Sequence, residues 1–187
     1  MDKWLFPLAG MKVLGETSDS MSFENIDISK EVEIPIGQHV GAFGVKRKMH
    51  VHNGVDLYCP PRTLVFAVEG GVVVDIRQWT GKAVGSPWWK DTWAVLVEGE
   101  SGVAAYGEIE YDWTRFKIGY KIAVGDHIGW VKTVLKKDKG RPMTMLHLQM
   151  YKQGHLCSGG WDTNDPKPDN LIDPTPFLLD ADFIGEL

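Results

Sequence analysis

A mostly β fold, an antiparallel sheet or sandwich core with long loops and little helix, follows from three features of the sequence. Short runs rich in β-branched residues recur from Thr63 onward, glycines and prolines punctuate them, and no long helical pattern interrupts them. The 187 residues are within the range of one domain and long enough to bury a substantial core. A formal net charge of -5, with no basic face or cluster, gives no electrostatic reason to expect a nucleic-acid partner. No stretch approaches the roughly 20 apolar residues that a membrane span requires.

In chain order, residues 1–36 read as an N-terminal extension that packs on the domain. They carry the polar Ser18-Asp19-Ser20 stretch and no recurring motif. The opening run through Leu5, Phe6 and Leu8 is short and broken by Pro7, so it makes a poor secretion signal. Residues 37–178 form the predicted β domain. Within it, His52-Asn53-Gly54-Val55-Asp56 is no helix, because Asn53-Gly54 is a strong turn signal and Pro60-Pro61 follows. A straight strand would separate the Cα atoms of His52 and Asp56 by roughly 13 Å, whereas a bend at Asn53-Gly54 brings the side chains together. Strands are expected around Thr63-Leu64-Val65-Phe66-Ala67, Gly71-Val72-Val73-Val74-Asp75-Ile76, Trp93-Ala94-Val95-Leu96-Val97 and Gly102-Val103-Ala104-Ala105-Tyr106. Between two of them, the loop from Gly81 to Trp93 carries Trp88 and Trp89, which either wall a substrate groove or fold back to cover the sheet. Lys136-Lys137-Asp138-Lys139 reads as a solvated charged loop. Met145, His147 and Gln149 alternate with Leu146, Leu148 and Met150, the pattern of a strand with one buried face, which sends His147 away from the leucines. A turn-rich linker, Asp162 to Asn170, leads to the terminal segment, with residues 179–187 as a tail.

His52, Asp56 and His147 offer two imidazoles and a carboxylate, a set that zinc uses when one coordination position stays open for water or substrate. The H-x-x-x-D pair alone is a weak metal signal and reads first as a hydrogen-bonded histidine near a turn. His50 shares the side of His52 and is a weak candidate proton carrier, while His39, His127 and His155 read as surface or satisfied core residues. Cys59 and Cys157 permit one disulfide but no disulfide framework, and Cys59 reads as a small buried thiol.

Several segments, in order, resemble the lysostaphin and LytM type of zinc metallopeptidase. They are Gly41-Ala42-Phe43-Gly44, His52-Asn53-Gly54-Val55-Asp56-Leu57, Pro60-Pro61-Arg62-Thr63-Leu64-Val65-Phe66-Ala67, Glu69-Gly70-Gly71-Val72-Val73, Tyr106-Gly107-Glu108-Ile109, Phe116-Lys117-Ile118-Gly119, Val124-Gly125-Asp126-His127-Ile128-Gly129, Leu146-His147-Leu148-Gln149 and Ile172-Asp173-Pro174. The resemblance implies one zinc ion held by His52, Asp56 and His147, and peptidoglycan or its peptides as the substrate. It also implies histidines where this chain has Glu108 and Met145, so both of the usual catalytic helpers are replaced. Glu108 is a candidate base, since a carboxylate beside an activated water accepts a proton; the alternative is a solvent-facing strand residue. Met145 neither carries protons nor stabilises an oxyanion, and fills an apolar gap beside the site. Gln149 either holds an imidazole N–H from outside the ligand set or is an exposed polar residue, and Tyr106 is a weak candidate for substrate contact.

Two functions follow as expectations: a zinc endopeptidase of the cell wall, or an inactive module of the same fold with a structural or wall-binding role. With no evident leader, a phage virion or lysis protein that partners other phage structural proteins, for example in a tail, fits a chain present in the host cytoplasm before it meets the wall.

Overall fold

The computed structural model describes residues 3–18, 27–137 and 143–183. Asp19-Ser20 of the polar stretch, Asp138-Lys139 of the charged loop, Met1-Asp2 and residues 184–187 lie outside them. The strands are β1 (Lys12–Thr17), β2 (Glu31–Pro35), β3 (Val55–Tyr58), β4 (Leu64–Phe66), β5 (Gly71–Thr80), β6 (Thr92–Glu98), β7 (Val103–Tyr111), β8 (Lys121–Ile122), β9 (His127–Val131), β10 (Met145–Tyr151) and β11 (Leu171–Ile172). Among the described residues, helix is confined to a 3-10 turn (Lys82–Val84) and the short α1 (Thr175–Leu179).

A sheet of antiparallel strands runs in the order β11-β10-β7-β6-β5-β8, with β3 added to β10 and β9 joining β7 to β4. In the N-terminal segment β1 and β2 pair parallel, and Leu5 makes an isolated parallel bridge to Asp182. The expected strands are present, and β5 and β7 run on past the stretches that announced them, to Thr80 and Tyr111. The sequence pattern did not single out β1, β2, β3, β8, β9 or β11. These are short or carry mixed polar residues, and long-range pairing rather than local propensity holds them extended.

Strand alternation builds two apolar layers. Val95 and Val97 of β6, Ala104 and Tyr106 of β7, and Leu146, Leu148 and Met150 of β10 enter the larger core. Ala94, Leu96, Val103, Ala105 and Tyr151 enter a smaller one on the opposite face. His147 therefore stands on the face opposite Leu146 and Leu148, because successive side chains of a strand point to opposite sides. Trp4, Phe6 and Leu8 also enter the larger core, Leu8 bridges to Val65, and Trp4 stacks on Phe177 at 4.8 Å.

The same alternation corrects the reading of Tyr106. It is fully buried, its hydroxyl accepts the Val68 N–H at 2.9 Å, and burial pushes the phenol beyond its ordinary range, so it does not contact substrate. Its hydroxyl serves a main-chain donor that no water can reach. Tyr106→Phe is expected to cost about 1–3 kcal/mol by orphaning that N–H, read as a lower midpoint in urea unfolding, with ligand binding unaltered.

Candidate metal centre

β10 occupies the middle of the site. On one edge it pairs with β3, placing Asp56 opposite His147; on the other it pairs with β7, placing Gly107 opposite the same histidine. His52 lies just before β3, and the chain bends at Gly54 to fold it back over Asp56. A side chain at Gly54 has no room: its Cβ would stand 2.6 Å from the Leu148 carbonyl oxygen and 2.8 Å from the His147 ring. The glycine lets the bend lie directly against the second histidine. Gly54→Ala is expected to destabilise the fold by about 1–3 kcal/mol and to displace His147, seen as a lower melting temperature together with weaker zinc retention.

The three side chains converge in the interior. His52 Nε2 lies 3.2 Å from Asp56 Oδ1 and 3.2 Å from His147 Nδ1, and His147 Nδ1 lies 2.8 Å from Asp56 Oδ1. All three residues are buried. Among the described residues they are the one cluster of histidine, cysteine or carboxylate side chains with metal-binding spacing. The outer partners set the tautomers. His52 Nδ1 is 2.9 Å from the Ala42 carbonyl, which only accepts, so Nδ1 carries the proton and Nε2 turns a lone pair inward. His147 Nε2 faces Gln149 Oε1 at 3.4 Å, which likewise leaves Nδ1 facing inward.

Two nitrogen lone pairs and a carboxylate oxygen this close need a shared proton or a cation between them. Zinc suits the gap: with Zn–N and Zn–O bonds of about 2.0–2.1 Å, ligand atoms of a tetrahedral site lie about 3.3 Å apart, close to the spacings seen here. The donor set fits the metal and leaves a fourth position without a protein ligand.

Charge is arranged around this cluster. Burial pushes the His52 imidazolium below its ordinary range, although Asp56 opposes the shift. With no cation between them and a proton on the inward ring nitrogens instead, burial penalises the Asp56 carboxylate, but the charge of His52 and hydrogen bonds from His147 and His52 outweigh it and hold the group well below the usual range. Arg47 was not singled out from the sequence. Its Nη2 binds Asp56 Oδ2 at 2.5 Å and the Val40 carbonyl at 2.8 Å, which leaves Oδ1 to the histidines.

Glu108 faces the same space, and the backbone puts it there. β7 pairs with β10 through Gly107 and with β9 from Ile109 onward, so Glu108 stands at the fork between the two. Opposite β6 one extra residue is accommodated at this point, a β-bulge, and Glu108 adopts φ +62°. The solvent-facing alternative is thereby overturned: Oε2 is buried without a hydrogen-bond partner among the described residues, and the residue lines the cleft. Burial, and then the nearby Asp56 charge, push its carboxyl well above the usual range, with Arg47 pulling the other way.

A raised carboxyl pKa means that the native state binds a proton the unfolded chain releases. The Glu108 contribution to metal-free stability is therefore expected to fall as pH rises from the ordinary glutamate range to the raised value. Melting temperatures of metal-free parent and Glu108→Gln across that window check this, the variant showing the smaller decline.

The cleft encloses about 450 Å³. Arg47, His50, Asn53 and Glu108 join the three central residues on its polar side, while Trp79, Trp89, Val134, Leu135, Met143 and Met145 make it apolar elsewhere. His50 stands at this rim, largely exposed, its imidazolium disfavoured by partial burial and by the Arg47 charge. Met145 is buried beside the site. Trp89 lines the cleft, whereas Trp88 is 63% exposed and meets Trp89 edge to face. Trp79, which the sequence reading passed over, lies 5.6 Å from the His147 ring. Of the other singled-out residues, His39 is buried and its Nδ1 accepts the Gly41 N–H at 3.0 Å. Cys59 and Cys157 are both free, and burial pushes the Cys59 thiol up to about 12.

Comparison with solved structures identifies the architecture. A Ruminococcus gnavus chain named for the glycyl-glycine endopeptidase LytM superposes with a TM-score of 0.53 at 20% identity, covering 96% of this chain and 61% of its own. The chain has the LytM-type fold. The lysostaphin catalytic domain from Staphylococcus simulans is also similar, with a TM-score of 0.48, 20% identity and coverage of 74% and 88%. The solution structure of lysostaphin gives 0.47, 22% identity and coverage of 73% and 46%, so this chain spans about half of that protein's length. No protein-family model and no curated protein matches the chain. No helix among the described residues is long and apolar enough to cross a membrane.

Proposed function

We propose that this LytM-type domain is a zinc-dependent endopeptidase of cell-wall peptides, with His52, Asp56 and His147 as metal ligands and Glu108 as the base. The observation that carries the reading is the convergence of three inward-facing donor atoms with the Glu108 carboxyl, whose Oε2 has no hydrogen-bond partner among the described residues, in one cleft. A zinc ion held by those donors would polarise a peptide carbonyl and acidify a water molecule.

The chain's own residues supply the rest. Glu108 accepts a proton from the attacking water and returns it to the departing amine. The cation's charge favours the ionised carboxylate needed for the first step, against the burial that raises its pKa. Arg47 fixes Asp56 through Oδ2, and Gln149 and the Ala42 carbonyl fix the two imidazoles. Trp79, Trp89 and Met145 keep part of the cleft apolar, which strengthens the electrostatic interactions within it.

One observation favours a second reading, a wall-binding module without turnover. Met145 presents a thioether to the cleft and offers no donor to an oxyanion. Purified protein supplied with zinc and incubated with peptidoglycan separates the two: release of soluble muropeptides is expected for the peptidase, and co-sedimentation with the wall without release for the binding module.

A further inference from the structure

A second depression of about 190 Å³ adjoins the cleft, formed in part by Arg62, Lys90, Glu110, Trp130 and Lys132. One ribbon walls both spaces. Trp89, Val134 and Leu135 line the cleft, whereas Lys90, Lys132 and Thr133 line the depression. The Lys90 N–H to Val134 carbonyl bond of 2.7 Å and the Trp89–Leu135 bridge hold that ribbon together.

The charge of the depression runs against that of the molecule. The chain has 20 lysines and arginines against 25 aspartates and glutamates, so carboxylate partners are plentiful. Here three cations meet one acid. Lys132 pairs with Glu110 at 3.6 Å, and Arg62 and Lys90 have no carboxylate partner among the described residues. Trp130, stacked on His127 with ring centroids 5.9 Å apart and planes 10° from parallel, is a fixed flat wall beside them.

Arg62 also occupies a costly backbone position. The Pro60 carbonyl accepts the Thr63 N–H at 3.3 Å, closing a turn in which Arg62 has φ +71°. That is the turn position glycine fills without strain. A long cationic side chain on that turn, with no carboxylate partner among the described residues, is free to meet a ligand beside it. A guanidinium and an ammonium on one depression suit a carboxylate, which accepts from both with charge-assisted hydrogen bonds.

We propose that this depression is an anion subsite for a carboxylate of the peptide lying in the neighbouring cleft, with Arg62 and Lys90 as donors and Trp130 as the wall. The proposal rests on the reading of the cleft as a peptide site.

The test titrates the zinc-loaded full chain with trialanine and with its C-terminal amide, following the Trp130 indole N–H resonance. The carboxylate form is expected to bind about 10-fold tighter or better. Lys90→Gln and Arg62→Gly should each erode that preference, and Arg62→Gly should do so with an unchanged or higher melting temperature, because glycine relieves the turn. Equal binding of the two peptides, binding of neither, or a preference that survives in both variants overturns the subsite; survival would send the carboxylate to the metal instead. A preference lost in both variants of a protein that releases no muropeptides keeps the subsite and removes the peptidase. Muropeptide release without any preference does the reverse.

Discussion

His147→Ala is expected to abolish stoichiometric zinc retention while leaving the sheet intact. Removing only an outer partner of a metal ligand lowers affinity about 10- to 100-fold, so loss of a ligand should exceed about 100-fold. The backbone of β10 keeps its pairing with β3 and β7 whatever side chain stands at 147. Asp56 keeps its Arg47 partner, so no buried carboxylate is left alone. Metal analysis of the purified variant beside the parent, with chelator competition and far-UV circular dichroism, gives the result directly. Parent-like zinc content in a folded variant would remove the metal centre as assigned.

Glu108→Gln is expected to separate chemistry from binding. Glutamine has nearly the shape of glutamate and inherits the same cleft-facing position, so zinc content should match the parent. Hydrolysis of a defined cell-wall peptide should fall about 100- to 10,000-fold, the usual worth of a positioned acid–base group. Parent-like cleavage by the variant would show that another group moves the proton. His50, at the rim of the cleft, is the next residue to replace in that case.

Much of this arrangement was legible in the sequence, for identifiable reasons. The leucines flanking His147 declared which face of β10 is core, and so which way the histidine points. Asn53-Gly54 declared a bend, which brings His52 to Asp56. The β-rich class followed from strands that keep β-branched residues through their centres. Other features depend on what lies across the sheet. Alternation around Tyr106 cannot say which face is buried, so a core phenol resembled a cleft residue. The bulge that turns Glu108 inward appears only when β6, β9 and β10 are all laid against β7. Arg47 sits in an exposed-looking Lys46-Arg47-Lys48 run, and its role appears only once Asp56 is folded against it. Trp79 lies beyond the 71–76 run that marked its strand, so its ring contact with His147 appears only in the fold.

The fork at Glu108 has a lasting consequence for how such a site can vary. Because the main chain, not the side chain, sets the direction of departure at residue 108, that position acts as a socket. A glutamate, a glutamine or a histidine plugged into it looks out on the same space. The reactive character of the domain can thus be exchanged by one codon while its scaffold stays as it is.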